Sequence, residues 1–127
     1  MAREFIYKGK TLEELKALSH DEFADLIPTS LRRSLKRSGH SKKRFLEKLR
    51  NHDKAKPFRT HTREMVILPE MVGMNFAVYC GKDWSKFEVQ PEMIGHRLGE
   101  YAHTCKQVKH SGPGIGATRG SKSVELK

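Results

Sequence analysis

The spacing of the hydrophobic residues changes near residue 64, and this change constrains the fold of the 127-residue chain more than any other feature. Before it, leucines recur at helical intervals, as at Leu12, Leu15 and Leu18. After it, larger apolar side chains alternate with other residues over 74–80, which is typical of a half-buried strand. A chain of this length fits one domain. The sequence therefore predicts one α+β domain whose helices come first.

Capping motifs predict where the helices begin. TLEE at 11–14 and SHDE at 19–22 each place a glutamate three residues after a hydroxyl, so that each side chain can bond to the other residue's backbone N–H. Thr29 or Ser30 can cap a third helix, and Ser41 a fourth. We therefore expect four short helices before the polar linker that begins after residue 50.

The second half predicts a small sheet covered by a helix. A short apolar run at 65–68 and alternating segments at 74–80 and 86–89, separated by turn residues, predict a three-stranded antiparallel meander. Pro91 suits the first position of a helix, and Met93, Ile94, Leu98 and Tyr101 would share one of its faces over 91–101. Because three bare strands cannot hide their apolar side alone, we expect this helix to pack on the meander.

A short repeat raises a second interpretation of the fold. PEMVG at 69–73 recurs as PEMIG at 91–95. True repeat proteins repeat their whole hydrophobic pattern and need about three copies to bury a core. Only five residues recur here, so the sequence predicts two proline-led turns, one entering a strand and the other a helix.

Composition divides the chain into three parts. We expect a helical extension at 1–53, an α+β core at 54–104 and an extended basic tail at 105–127. The tail contains GPGIGATRGS, which lacks the G-K-[ST] ending of a phosphate-binding loop. Because glycine, serine and basic residues cannot bury a core, we expect the tail to stay mobile until a partner orders it.

The net charge of +10 is concentrated in one block. Residues 11–27 carry a net charge of −4, and residues 64–102 carry −3. Between them, residues 32–63 hold thirteen Lys or Arg against two acids, a net charge of +11. Solubility alone does not require such a block, whereas a polyanion would release its counterions on meeting it. The distribution favours a nucleic-acid partner.

Catalytic and metal-binding patterns are weak. His96 and Glu100 are four residues apart, so a helix would place them on one face as an acid–base pair, although an ion pair is the simpler interpretation. The Cys and His residues lack the paired spacing of structural zinc sites. They are Cys80, His96, His103, Cys105 and His110. We expect no catalytic residue, no metal and no cofactor.

Several residues suggest close approach or base stacking. Gly95 and Gly99 each destabilise a helix by about 1 kcal/mol relative to Ala, so either the sheet or an RNA backbone should approach there. In the basic segment 54–63, Phe58 or His61 could stack on an unpaired base. Trp84 is either a core anchor or an exposed stacking platform, and the core role is favoured.

Three segments carry a resemblance to a known family. RTHTREMVILPEMVGMNFAVYCGK at 59–82 and FEVQPEMIGHRLGEYAHT at 87–104 closely resemble small-subunit ribosomal protein nineteen. VKHSGPGIGATRGS at 108–121 and the helical extension before residue 54 resemble its archaeal and eukaryotic type, called protein fifteen in eukaryotes. The resemblance implies a non-enzymatic protein that binds small-subunit rRNA in the head and assists head assembly. It also implies contact with ribosomal protein thirteen, and a tail directed towards the decoding region and the A-site tRNA.

The resemblance also implies which residues meet rRNA. Carried over by motif, these are Lys56, Arg59, Thr60, His61, Arg63, Gly95, His96, Arg97, Gly99, Lys106, Lys109 and His110. Cys105 and Lys106 depart from the bacterial pattern, which has basic residues flanking a threonine there. Further basic residues complete the predicted rRNA surface: Arg32, Arg33, Lys36, Arg37, Lys42, Lys43, Arg44, Lys54, Lys82 and Arg119.

Two other function classes stay open from the sequence. One is a small RNA-processing enzyme that uses His96 and Glu100, and the other is a free-standing RNA- or chromatin-binding protein. The N-terminal segment lacks the apolar stretch of a secretion signal, and no run of about 18 apolar residues could span a membrane. We therefore expect a cytoplasmic, ribosome-bound protein. Its acidic segment 11–27 would suit a basic protein neighbour.

Overall fold

The computed structural model describes residues 5–37, 39–115 and 117. A two-stranded hairpin precedes four helices, and a three-stranded sheet comes after them. The hairpin strands are β1 (Ile6–Tyr7) and β2 (Lys10–Thr11). The helices are α1 (Leu12–Ala17), α2 (His20–Leu26), α3 (Thr29–Lys36) and α4 (His40–Arg50). The sheet strands are β3 (Phe58–Thr60), β4 (Asn75–Tyr79) and β5 (Trp84–Glu88). The predicted α+β class is confirmed.

Both predicted capping boxes are present. At α1, the Thr11 backbone N–H donates to Glu14 Oε2 at 3.0 Å, and the Glu14 N–H donates to Thr11 Oγ1 at 3.5 Å. Ser19 and Glu22 repeat these bonds at α2, at 2.9 Å and 3.4 Å. Each box gives a partner to backbone donors that a helix start would otherwise leave unpaired, which explains two short helices in succession.

The predicted caps of the next two helices are wrong. Pro28 caps α3, and its carbonyl accepts bonds from the N–H groups of Leu31 and Arg32 at 3.0 Å and 2.9 Å. Gly39 caps α4, and its carbonyl accepts from Lys42 at 3.1 Å. Thr29, Ser30 and Ser41 therefore lie inside the first turns. An extended residue just before each helix needs no side-chain hydroxyl to begin it.

The three-stranded sheet is mixed rather than the antiparallel meander predicted. Its order is β3-β4-β5; β4 and β5 are antiparallel, with Phe76 opposite Phe87. β3 is parallel to β4, with Phe58 opposite Phe76. The first strand therefore comes from the linker at 58–60, and the predicted strand at 65–68 lies outside the sheet. A parallel pair needs a long connection, and residues 61–74 provide it.

The segment at 65–68 is buried and pairs elsewhere. Met65, Val66, Ile67 and Leu68 are each at most 1% exposed. Their backbone bonds run to residues 96–98: the Ile67 N–H donates to the His96 carbonyl at 2.8 Å, and the Leu98 N–H donates to the Met65 carbonyl at 3.0 Å. An isolated antiparallel bridge joins Val66 and Arg97 between them. A run buried throughout lacks the exposed face on which period-two alternation depends.

The helix predicted at 91–101 is wrong. Two short 3₁₀ turns replace it, at Pro91–Met93 and Leu98–Tyr101. Gly95 between them has φ of +80°, a left-handed conformation that ends a right-handed helix. Pro91 does occupy the first position of its turn, as predicted. The earlier copy of the pentapeptide forms the same kind of turn at Pro69–Met71.

One hydrophobic cluster joins the helices to the sheet. Phe58 of β3 is central to it, with ring centroids 5.2 Å from Phe45 of α4 and 5.6 Å from Phe76 of β4. Leu15, Phe23 and Ile27 bring α1 and the α2 end into the same cluster. Residues 103–115 are exposed and form no regular element. Among the described residues, no helix is long and apolar enough to cross a bilayer.

Candidate nucleic-acid interface

Two of the predicted contacts on α3 hold the helices together. The Arg32 guanidinium donates to the backbone carbonyls of Ala24 and Asp25 at 3.0 Å and 2.7 Å. Lys36 Nζ donates to Asp25 Oδ1 at 3.1 Å. A cation at the last turn of α2 is favourable because unpaired carbonyls and the negative end of the helix dipole meet there. Arg32 and Lys36 thus join α3 to α2.

The remaining predicted basic contacts near α3 and α4 differ in whether their side chains bond within the chain. Lys42 Nζ bonds to the Ser34 carbonyl and lies 3.1 Å from the Ser34 hydroxyl, so it joins α4 to α3. Four other predicted contacts are exposed and belong to no ion pair among the described residues. They are Arg33, Arg37, Lys43 and Arg44. These four form the free cationic surface of α3 and α4.

The basic segment 54–63 also contains both exposed side chains and side chains that bond within the chain. Lys54, Lys56, Arg59 and His61 are exposed. The Arg63 guanidinium instead donates to the carbonyls of Tyr79 at 2.7 Å and Gly99 at 3.1 Å, and also to that of Ala102. Thr60 is buried, and its hydroxyl accepts from the Thr62 N–H at 3.0 Å. Arg63 and Thr60 therefore shape the fold, and their neighbours face solvent.

The two stacking candidates of that segment have opposite positions. Phe58 is 7% exposed and is enclosed by the rings of Phe45, His52 and Phe76. It is a core residue, so the suggestion that it stacks on a base is wrong. His61 is exposed, and its ring lies 4.7 Å from that of Tyr79 and 5.0 Å from that of Trp84, between centroids.

Trp84 is partly exposed and lies outside the hydrophobic cluster. Its ring centroid is 5.3 Å from that of Tyr79, and the Arg59 guanidinium carbon is 5.7 Å from it. That distance suits a cation–π contact. The sequence-based preference for a core role of Trp84 is wrong, because the tryptophan belongs to an aromatic group at the surface.

The His96–Glu100 pair caps a turn. His96 Nδ1 and Glu100 Oε2 are 2.7 Å apart, and both side chains are about half exposed, at 53% and 47%. Glu100 Oε1 also accepts from the Arg97 N–H at 3.3 Å, at the start of the turn Leu98–Tyr101. These contacts explain the pair without catalysis. Burial and the nearby Glu100 carboxylate raise the pKa of the Tyr101 hydroxyl.

The two glycines of this segment are approached by the chain itself. A Cβ at Gly95 would lie 2.8 Å from the Tyr7 hydroxyl oxygen. A Cβ at Gly99 would lie 3.1 Å from both the Cβ and the carbonyl oxygen of Arg63. The sequence left open whether the sheet or an RNA backbone approaches these glycines. Neither is needed to explain them, since β1 and residue 63 occupy the space. Arg97 and His96 remain at the surface nearby.

The remaining predicted contacts lie at the hairpin and in the tail. Lys82 is exposed between β4 and β5. Lys106 Nζ is 3.3 Å from Asp83 Oδ2 in an exposed ion pair, which places the start of the tail beside that hairpin. Lys109 and His110 are exposed, and Arg119 lies outside the described residues. Across the residues described, no three His, Cys, Asp or Glu side chains are grouped to hold a metal ion.

Comparison with known proteins decides the family. The family model for ribosomal protein S19 matches residues 33–110. The chain belongs to the ribosomal protein S19 family. The matched residues include α4, the whole sheet and the turns at Pro69–Met71 and Pro91–Met93. The match confirms the resemblance inferred from the sequence.

Archaeal S19 proteins resemble the chain over nearly its full length. The small ribosomal subunit protein uS19 of Thermoplasma volcanium is 52% identical over 128 residues, covering 99% of this chain and 83% of that protein. The uS19 of Thermoplasma acidophilum is 47% identical, with the same coverage. That of Methanococcoides burtonii is 47% identical over 98% of this chain and 90% of its own length. The acidic helices α1 and α2 therefore fall within the region shared with archaeal S19 proteins.

The sequence did not identify all of the candidate surface residues of this S19 protein. Tyr79 and Lys86 were not predicted to contact a ligand, although both are solvent-accessible and near Trp84. Strand alternation could have found them, because Tyr79 and Ala77 share one face of β4 and lie opposite Trp84 and Lys86. Reading this face required the correct strand partners.

Proposed function

We propose that the chain is a structural constituent of the small ribosomal subunit that binds small-subunit rRNA through the phosphate backbone. Membership of the S19 family supports the ribosomal role. The observation that carries the phosphate contacts is the free cationic surface of α3 and α4, extended by Lys54, Lys56 and Arg59. A polyanion that meets this many unpaired cations releases its condensed counterions, which favours binding.

The finer assignments derive from the same family. The chain binds in the head of the subunit, assists head assembly, and contacts ribosomal protein thirteen. The acidic residues of α1 and α2 are exposed and would repel phosphate, which supports a basic protein as their neighbour. The exposed segment 103–115 has no regular structure, in keeping with a tail that extends towards the decoding region and the A-site tRNA.

A matched pair of lysines tests the phosphate contacts. Lys43 is exposed and free, whereas the neighbouring Lys42 bonds to Ser34 within the chain. Lys43→Gln should weaken binding to a small-subunit rRNA fragment and reduce the slope of log K against log salt by about 1. Lys42→Gln should leave that slope unchanged. Titrations between 50 and 200 mM salt measure both, and a flat salt response of the unmodified protein contradicts the proposal.

A sedimentation experiment tests the ribosomal role. The protein should co-sediment with the small subunit in the cytoplasmic extract, and little of it should run free. If most of the protein runs in other fractions, a free-standing RNA- or chromatin-binding function replaces the proposal. Incubation of the purified protein with RNA tests the enzyme alternative, because cleavage that His96→Ala abolishes would require a catalytic role for the His96–Glu100 pair.

A further inference from the structure

The sheet has a face directed away from the hydrophobic core. Phe76 and Val78 of β4 are fully buried in the hydrophobic cluster, so the alternate residues Ala77 and Tyr79 point to the other face. Strand pairing sets Arg59 and Lys86 on either side of Ala77, and Trp84 beside Tyr79. Ala77 itself is fully buried, so the exposed part of this outer face consists of a cation on each side and aromatic rings at one end.

Three rings meet at that end of the outer face. His61 continues the chain beyond β3, and its ring centroid lies within about 5 Å of both Tyr79 and Trp84. We call His61, Tyr79 and Trp84 the ring cluster. The rings meet at angles from 47° to 74°, so they present edges and faces in several directions instead of one closed stack. The Arg59 guanidinium lies beside the cluster, 5.7 Å from the Trp84 ring.

Tyr79 of the ring cluster is fixed in position by the chain around it. Arg63 donates to the Tyr79 carbonyl at 2.7 Å, and its guanidinium is held in turn by Gly99 and Ala102. The Tyr79 hydroxyl bonds to the Gly81 carbonyl within the hairpin. Because Tyr79 is held at both its backbone carbonyl and its hydroxyl, a ligand that stacks on its ring loses little binding free energy to ordering that side chain.

We propose that the ring cluster is a stacking site for one unpaired nucleobase of a single-stranded RNA segment, with the adjacent phosphates neutralised by Arg59 and Lys86. This inference rests on the proposed rRNA-binding function and adds a contact to bases. Aromatic rings beside exposed cations are the arrangement with which proteins bind single-stranded RNA, since every base has a face that can stack.

The charges of the outer face favour RNA over an acidic or neutral peptide. Arg59, Lys86 and the nearby Lys82 are all exposed. Asp83 lies at the ring-cluster end of the hairpin, where Lys106 pairs with it, and Glu88 lies at the far end of the outer face, opposite Asn75. A segment that stacks on the ring cluster thus lies beside the Arg59 guanidinium, and Lys86 lies on the same face of β5 as Trp84. A regular duplex hides its base faces and could offer only phosphates to this surface.

The chain contains a single tryptophan, so fluorescence reports this site directly. The probes are a ten-nucleotide single-stranded RNA, the same RNA with its bases removed at the four central positions, and a duplex of equal length. We expect the intact single strand to quench Trp84 fluorescence saturably. The partly abasic strand and the duplex should bind mainly through phosphate and quench little.

Variants separate stacking from phosphate binding. Alanine substitution at a stacking residue typically weakens binding by roughly 5- to 150-fold per base, so His61→Ala and Trp84→Ala should reduce affinity for the intact strand towards that of the partly abasic strand. Trp84→Phe should retain part of the affinity because it keeps a ring. The matched control Lys43→Gln should lower affinity for both strands by the same factor, since Lys43 is on α4 and outside the outer face. Far-ultraviolet circular dichroism confirms that each variant is folded.

The outcomes distinguish this inference from the proposed function. If both strands bind equally, with a steep salt dependence and no effect of His61→Ala, the stacking site is overturned while phosphate binding stands. If Trp84 is quenched only when a small-subunit protein is added, the face is a protein contact and the inference is also overturned. Failure to bind small-subunit rRNA at any salt concentration rejects the proposed function itself.

Discussion

The two copies of the pentapeptide, PEMVG at 69–73 and PEMIG at 91–95, adopt the same backbone conformation in different surroundings. In each copy the proline begins a 3₁₀ turn and the glycine has a positive φ, +82° at Gly73 and +80° at Gly95. The methionine N–H of each copy donates to the carbonyl of the residue before the proline at 3.0 Å. Five residues are therefore enough to determine this local structure, whether a strand or a second 3₁₀ turn comes after them.

Burial distinguishes the copies. In the first, Met71 is fully buried and Val72 is half-buried. In the second, Met93 is half-buried and Ile94 is 1% exposed. The same turn is thus rotated relative to the core, so neighbouring side chains exchange roles. Local sequence fixes the shape of the turn, and tertiary contacts decide which side chain it buries.

The largest expected difference is at the methionines. Met71→Ala removes a fully buried side chain and should destabilise the protein by about 2–5 kcal/mol, whereas Met93→Ala should lose less than half as much because Met93 already contacts solvent. Urea unfolding measures both free energies. The next position provides the control, since Ile94→Ala should lose more than Val72→Ala. Equal losses at the two methionines would show that the copies are buried alike.

The glycines should differ less. Gly73→Ala meets no atom within 4 Å, so only the positive φ opposes it, by about 1–2 kcal/mol. Gly95→Ala has the same backbone strain and also contacts the Tyr7 hydroxyl oxygen at 2.8 Å, so we expect a further loss of about 1 kcal/mol. In a Tyr7→Phe background this extra loss should shrink. If it persists there, another neighbour of Gly95 is responsible.

The glutamates should differ least, and the comparison is made in mildly acidic solution, where an imidazole is positively charged. Glu70 of the first copy lies 3.2 Å from His20 Nε2, and both side chains are about 40% exposed. Glu92 of the second copy is exposed and belongs to no ion pair among the described residues. Glu70→Gln should therefore destabilise by roughly 0.2–1 kcal/mol at low salt, and Glu92→Gln should be neutral. The difference should vanish in 1 M salt, because screening removes exposed pairs; a difference that survives would indicate a hydrogen bond independent of charge.

Of the two copies, only the second should lose stability at alkaline pH, and the loss should be small. Burial raises the pKa of Tyr7, whose hydroxyl covers Gly95. The unfolded chain then releases the Tyr7 proton first, so the stabilisation is fully present below pH 10 and is lost as pH rises through the pKa of the folded state. The urea midpoint should fall less between pH 9 and pH 11 for Tyr7→Phe than for the unmodified protein. Tyr101, whose pKa is also raised, contributes equally to both.

Local signals were sufficient to predict four helices, but not the caps of α3 and α4 or the β1–β2 hairpin. The boxes at Thr11 and Ser19 began α1 and α2 as predicted, because their hydrogen bonds involve only residues three apart. The alternation in β4 also predicted its strand, at 75–79 within the expected 74–80. These patterns depend on neighbours in sequence, and a single chain displays them in full.

Non-local pairing explains the errors. The spacing of Ile94 and Leu98 fits a helix, but Gly95 is left-handed and the backbone from 95 to 99 bonds to residues 63–67 instead. Nothing local to Phe58 marks it as a strand residue, since β3 exists only beside β4. The same limit applies to the candidate site: the sequence identified His61 and Arg59, yet it could not show that Arg63 and Lys42 bond to carbonyls within the chain.

The pairing of residues 63–67 with 95–99 also sets an order for folding. β4 and β5 are joined by a four-residue turn and can associate early, whereas β3 joins β4 only across residues 61–74. The buried run Met65–Leu68 within that connection finds its backbone partners only in the residues before position 100. A nascent chain therefore cannot close its core until the whole sheet and residues 95–99 have left the exit tunnel, and its apolar centre stays open to chaperones until then.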